Sequence, residues 1–63
     1  MPIVHIDFLA GRTQEQKEAM MKKVTAAISE TLVVTPEKVR IVLNERSSDD
    51  ISVGGVTMTK LQK

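Results

Sequence analysis

The sequence predicts a small α+β fold built on a βαβ unit. Three observations carry that reading: two segments whose apolar residues alternate, a stretch between them whose apolar residues recur every fourth position, and a Gly-Gly pair near the carboxyl end. In the first segment, Pro2 to Leu9, residues Val4, Ile6 and Phe8 fall on one side of a strand and Ile3, His5, Asp7 and Leu9 on the other. One face is wholly apolar and the other mixed. Gly11-Arg12 breaks the alternation, and Thr13-Gln-Glu-Gln16 then reads as a capping box, in which Thr13 caps a helix and Gln16 reaches back to it.

The helix is expected from Gln14 to about Leu32, with Met20, Val24, Ile28 and Leu32 as its apolar stripe and Met21 and Ala27 beside them. Glu18 and Lys22, one turn apart, suit a pair on its wet face. The period is lost across Val33-Val34, and Thr35-Pro36 predicts a short turn with Thr35 as its cap. Alternation resumes from Val39 to Glu45, where Val39, Ile41 and Leu43 oppose Arg40, Val42 and Asn44. Arg46 to Asp50 is expected as polar loop, Ile51 to Val56 as a short strand or hairpin broken by the glycines, and Thr57 to Lys63 as either a frayed tail or a partner-docking arm. Strand, long helix and strand most simply join as a right-handed crossover with the two strands parallel.

A chain of 63 residues is expected to form a single domain, 1–63, that buries too little apolar surface to be secure alone. It has no cysteine for a disulfide and one histidine, too few for a zinc cluster, so oligomerisation is the remaining support. The open edges of a two-stranded sheet are natural places for it. A net charge of +1 with interspersed signs, and Phe8 as the lone aromatic residue, argue against nucleic acid as a partner. No apolar run reaches membrane-spanning length and no signal peptide is evident, so no membrane association and a cytoplasmic location are expected.

Pro2 stands directly after Met1, so removal of Met1 would leave a secondary amine able to act as a base. An ordinary α-amino group titrates at about 7.7 to 8.0, and burial or nearby cations lower such a value by disfavouring the charged form. A base of that kind suits proton movement in enol acids near neutral pH. Arg12 and Arg40 offer guanidinium forks that match carboxylates and can stabilise developing enolate charge. Taken singly, each residue has a plainer reading: Pro2 as the start of an edge strand, Arg12 as a solvated residue before the helix, Arg40 as half of an interface pair. His5 reads as an interface or solvent residue, and Ser47-Ser48 lacks a nearby histidine.

Taken together, Pro2, Gly11-Arg12 ahead of the helix start, Val39-Arg40 opening the second strand and Gly54-Gly55 resemble the 4-oxalocrotonate tautomerase family of the tautomerase superfamily, over nearly the whole chain. The resemblance implies the small βαβ tautomerase fold, completed by oligomerisation as a homohexamer, a trimer of dimers. It implies a cofactor-independent isomerase of aromatic-compound degradation, with no metal, acting on a small carboxylate substrate. The leading substrate is 2-hydroxymuconate, converted to 2-oxo-3-hexenedioate; small enol monoacids, or ligand binding without catalysis, are the alternatives. Pro2 would be general base and acid, Arg40 would hold a carboxylate and the adjacent oxygen, and Arg12 a distant carboxylate. Ile51 stands where family members often have an aromatic residue that keeps the proline in an apolar setting. Asp49 and Asp50 precede it, and carboxylates entering the pocket would raise the base's pKa. Val53 occupies the place of a water-activating carboxylate in a related dehalogenase, which disfavours hydration.

Overall fold

The computed structural model describes residues 1–62. Strand β1 (Ile3–Leu9) leads into helix α1 (Gln14–Leu32), and β2 (Arg40–Arg46) returns parallel to β1. The register sets Ile3 opposite Arg40 and Leu9 opposite Arg46, so both strands start at the same end. A second ladder pairs β3 (Ser52–Val53) with β4 (Val56–Thr57) antiparallel, and helix α2 (Met58–Leu61) follows. The described part of the molecule is elongated, 42 × 24 × 14 Å.

Alternation decides which sheet face α1 covers. Val4, Ile6 and Phe8 on β1 and Ile41 and Leu43 on β2 are half-buried. Ile3, His5 and Asp7 beside Arg40 and Val42 are exposed on the other face. The capping box forms as the sequence predicts: the Gln16 amide donates to the Thr13 hydroxyl at 3.1 Å and the Thr13 amide to Gln16 Oε1 at 3.0 Å. Met20, Met21, Val24 and Ile28 face the sheet half-buried, whereas Ala27 is exposed and Leu32 is 58% exposed. The stripe therefore outruns the sheet it covers. The helix is tied to the sheet by Lys17, whose ammonium pairs with Glu45 on β2. Glu18 and Lys22 form no ion pair.

Local differences from the expected elements have identifiable causes. The helix stops at Val33, a β-branched residue in the left-handed region (φ 56°), because Pro36 just ahead disfavours continuation of the helix. Thr35 caps the 3₁₀ turn Pro36–Lys38 by position, but its hydroxyl makes no capping bond. The second strand begins at Arg40 and extends to Arg46, because the Ala10 amide donates to the Arg46 carbonyl at 2.9 Å and Arg46 pairs with Asp7 at 3.2 Å. Ser48–Asp50 winds into a 3₁₀ turn, with the Ser47 hydroxyl accepting from the Asp49 amide. Gly54 and Gly55, at φ 60° and 86°, close the hairpin in a two-residue turn that needs positive φ at both positions. Thr57 caps α2, so most of the carboxyl-terminal segment is ordered helix, with Lys63 outside the described residues.

No described residue is fully buried. The apolar layer between α1 and the sheet is one helix wide and solvated at its rims. Ile3, Val42, Val53, Val56 and Leu61 expose large apolar surfaces on the uncovered sheet face and on the carboxyl-terminal arm.

Candidate active site

Parallel pairing places Pro2 and Arg40 side by side. The Arg40 amide donates to the Pro2 carbonyl at 3.0 Å, extending the ladder one residue beyond β1. Pro2 is half-buried. Arg40 shares the register position of Ile3, so its side chain belongs to the exposed sheet face. It makes no ion pair with any described residue. Its Nε instead donates to the Met1 thioether at 3.0 Å.

Arg12 lies beyond the opposite end of β1, and the seven strand residues between the two ends span about 23 Å. Gly11, at φ 125°, turns the chain there and presents Arg12 at the start of α1. Arg12 lines a cavity of about 240 Å³ with Phe8, Gln16, Lys17 and Met20. This is an apolar floor with a cationic rim. The contribution of Gln16 and Met20 is not evident from the sequence motifs, although their four-residue spacing after Arg12 puts them on one helix face. A second cavity of about 230 Å³ lies between Gln14, Lys17, Met21, Leu43 and Glu45.

The hairpin leaves the sheet from the Arg12 end, because β2 ends at Arg46 opposite Leu9. Ile51 is half-buried at its base, and its carbonyl accepts from the Met58 amide at 2.7 Å. Asp49 is not free: the Thr59 hydroxyl donates to its carboxylate, and Thr59 also meets the Ser48 hydroxyl at 2.7 Å. That network turns the Asp49 carboxylate toward α2. Asp50 is exposed. His5 lies on the exposed sheet face, opposite Val42.

One subunit therefore brings Pro2 and Arg40 together and leaves Arg12 and the hairpin at the other end. Paired with a carbonyl-polarising cation, an amine at Pro2 has the chemistry for proton transfer beside a carboxylate.

Comparison with known proteins bears on the fold and the family. The sequence model of the tautomerase enzyme family matches residues 2–61. A probable tautomerase from Halalkalibacterium halodurans is 47% identical over 55 residues, covering 87% of this chain and 90% of that protein. The 2-hydroxymuconate tautomerase of Pseudomonas putida is 35% identical over 63 residues, the full length of both. Among solved structures, a heterohexameric 4-oxalocrotonate tautomerase from Chloroflexus aurantiacus superimposes with a TM-score of 0.90 at 31% identity, covering 97% of this chain and 98% of that one. With strands, helix, hairpin and sequence all in agreement, the chain belongs to the tautomerase family.

Proposed function

We propose that this chain is a cofactor-independent tautomerase that moves a proton between oxygen and carbon in an unsaturated 2-hydroxy or 2-oxo acid. Its leading substrate is 2-hydroxymuconate, with 2-oxo-3-hexenedioate as product. The observation that carries the reading is the main-chain bond of 3.0 Å between Arg40 and Pro2 at the free end of the strand pair. It supports a prospective base and a carboxylate-binding cation at the same end of the strand pair. After Met1 is removed, the Pro2 amine takes the proton from the 2-hydroxyl group and returns it to carbon. Arg40 holds the carboxylate and the neighbouring oxygen and stabilises the enolate-like charge.

Arg12 holds the distant carboxylate, and Ile51 supplies apolar wall near the amine. Their position at the other end of the subunit supports a site assembled from several subunits of a cytoplasmic homohexamer. The heterohexameric relative supports that assembly by analogy. A second reading rests on the same separation. Pro2 and Arg40 suffice for a small enol monoacid, which needs only one arginine.

The test is an absorbance assay of Met1-free protein on 2-hydroxymuconate and on an enol monoacid such as phenylenolpyruvate. Rapid conversion of the first, lost in Arg12→Ala, supports the diacid reading. Conversion of the second alone, insensitive to Arg12→Ala, supports the monoacid reading. Conversion of neither, with ligand binding retained, would identify a non-catalytic binder.

A further inference from the structure

Residue 1 occupies a defined place in this molecule. Pro2 fixes its own φ, and its carbonyl is held by the Arg40 amide at 3.0 Å. The preceding residue is thereby directed back over β2. Met1 keeps 71% of its surface exposed, yet its sulfur receives the Arg40 Nε–H at 3.0 Å. Arg40 has no carboxylate partner among the described residues, and the thioether accepts from its side chain.

We infer that the Met1 side chain is an autoinhibitory cap on Arg40, so that removal of residue 1 uncovers the anion-binding guanidinium as well as the Pro2 amine. The inference rests on the reading of Arg40 as a carboxylate holder. Acylation of Pro2 explains loss of the base, but says nothing about binding. The cap adds a separate effect, because a fork with Nε engaged cannot present its Nε and Nη edge to a carboxylate. A thioether is a weak acceptor and a carboxylate a strong, charge-assisted one, so substrate at high concentration displaces the cap. The uncleaved chain is thus weakened in binding in addition to lacking its base.

The chain is short enough for total synthesis, which permits a side-chain control. Three versions begin at Pro2, at Met1, and at a glycine in place of Met1. The glycine version keeps the acylated proline and the terminal ammonium but has no thioether. Each is titrated with 2-oxoglutarate while the Arg40 Nε–Hε resonance is followed by NMR. The glycine version is expected to bind about 3- to 10-fold more tightly than the Met1 version, a difference of about 0.7 to 1.4 kcal/mol. Arg40→Ala in both backgrounds is expected to erase that difference.

Equal affinity of the Met1 and glycine versions overturns the cap and leaves the proposed function standing if the Pro2 version isomerises 2-hydroxymuconate. A difference that survives Arg40→Ala also overturns the cap. Failure of all three versions to bind 2-oxoglutarate overturns the cap together with the assignment of Arg40 as a carboxylate holder.

Discussion

Pro2 and His5 offer a direct contrast at the scale of single residues. Both stand on β1 or immediately before it, and both carry a nitrogen suited to proton transfer, but only Pro2 lies beside Arg40. In Met1-free protein, Pro2→Ala is expected to lower kcat/KM by about 10²-fold or more, the range for loss of a positioned base. His5→Ala, on the exposed face, is expected to change it by less than about 3-fold, a small effect on the same scale. Comparable losses in steady-state kinetics would show that Pro2 is structural. The residue types of the candidate site were legible in the sequence, because an amine and two guanidinium groups advertise their chemistry. The Met1–Arg40 contact was not. It depends on the register of two parallel strands separated by the whole of α1, which local spacing does not encode.

Val33 makes a second prediction at this scale. A β-branched residue at φ 56° places its Cβ against the following carbonyl, at a cost of about 1–2 kcal/mol. Glycine relieves the strain and loses some of that gain through the greater freedom of its unfolded chain. Val33→Gly is therefore expected to raise stability by about 1 kcal/mol, read from urea unfolding at fixed subunit concentration. A loss of stability would mean that the 87%-exposed side chain packs in the assembled protein.

At the scale of elements, α1 is the part most fully written in local sequence. The reciprocal bonds of Thr13 and Gln16 fix its start, and the four-residue stripe selects the face toward Val4, Ile6 and Leu43. Thr13→Ala is expected to cost about 1 kcal/mol, measured by the same unfolding experiment, while leaving the helical circular dichroism of the folded protein unchanged. An unaltered unfolding midpoint would show that sheet packing alone holds the helix start. The Ser48–Asp50 turn was less legible, since Ser-Ser-Asp-Asp fits any polar loop. The turn combines the local cap of Ser47 with a tertiary bond of Asp49 to Thr59, ten residues on, that local spacing does not encode. The ion pair of α1 shows the same limit. Periodicity suggests Glu18 with Lys22, which form no ion pair, and it gives no sign of the pair that does form, Lys17 with Glu45 on the strand below.

At the scale of the whole molecule, the proposed chemistry is expected to depend on the proposed assembly. A subunit with no fully buried described residue has little to hold it together alone, and the uncovered sheet face and carboxyl-terminal arm carry the apolar surface to be buried. If neighbouring subunits complete the site, dilution or mild denaturant is expected to abolish activity before the helical signal is lost completely. Activity retained by verified monomers would instead place the full site within one subunit. Reassembled mixtures of Pro2→Ala and Arg12→Ala protein test the sharing further. Recovered activity is expected if these residues meet across subunits, and none in verified mixed oligomers if they do not. Length, composition and missing cysteines are what raise the expectation of assembly, whereas a partner geometry would lie in contacts between chains, which leave no local periodicity in the sequence.

The central claim is that a free Pro2 amine performs enol-acid tautomerisation. Its most direct test joins intact mass spectrometry to turnover of 2-hydroxymuconate by the same protein samples. Protein lacking Met1 is expected to convert the substrate well above the buffer rate, and protein retaining Met1 to be inactive, with mixtures active in proportion to the trimmed fraction. Full turnover by a sample in which Met1 is wholly retained would contradict the account.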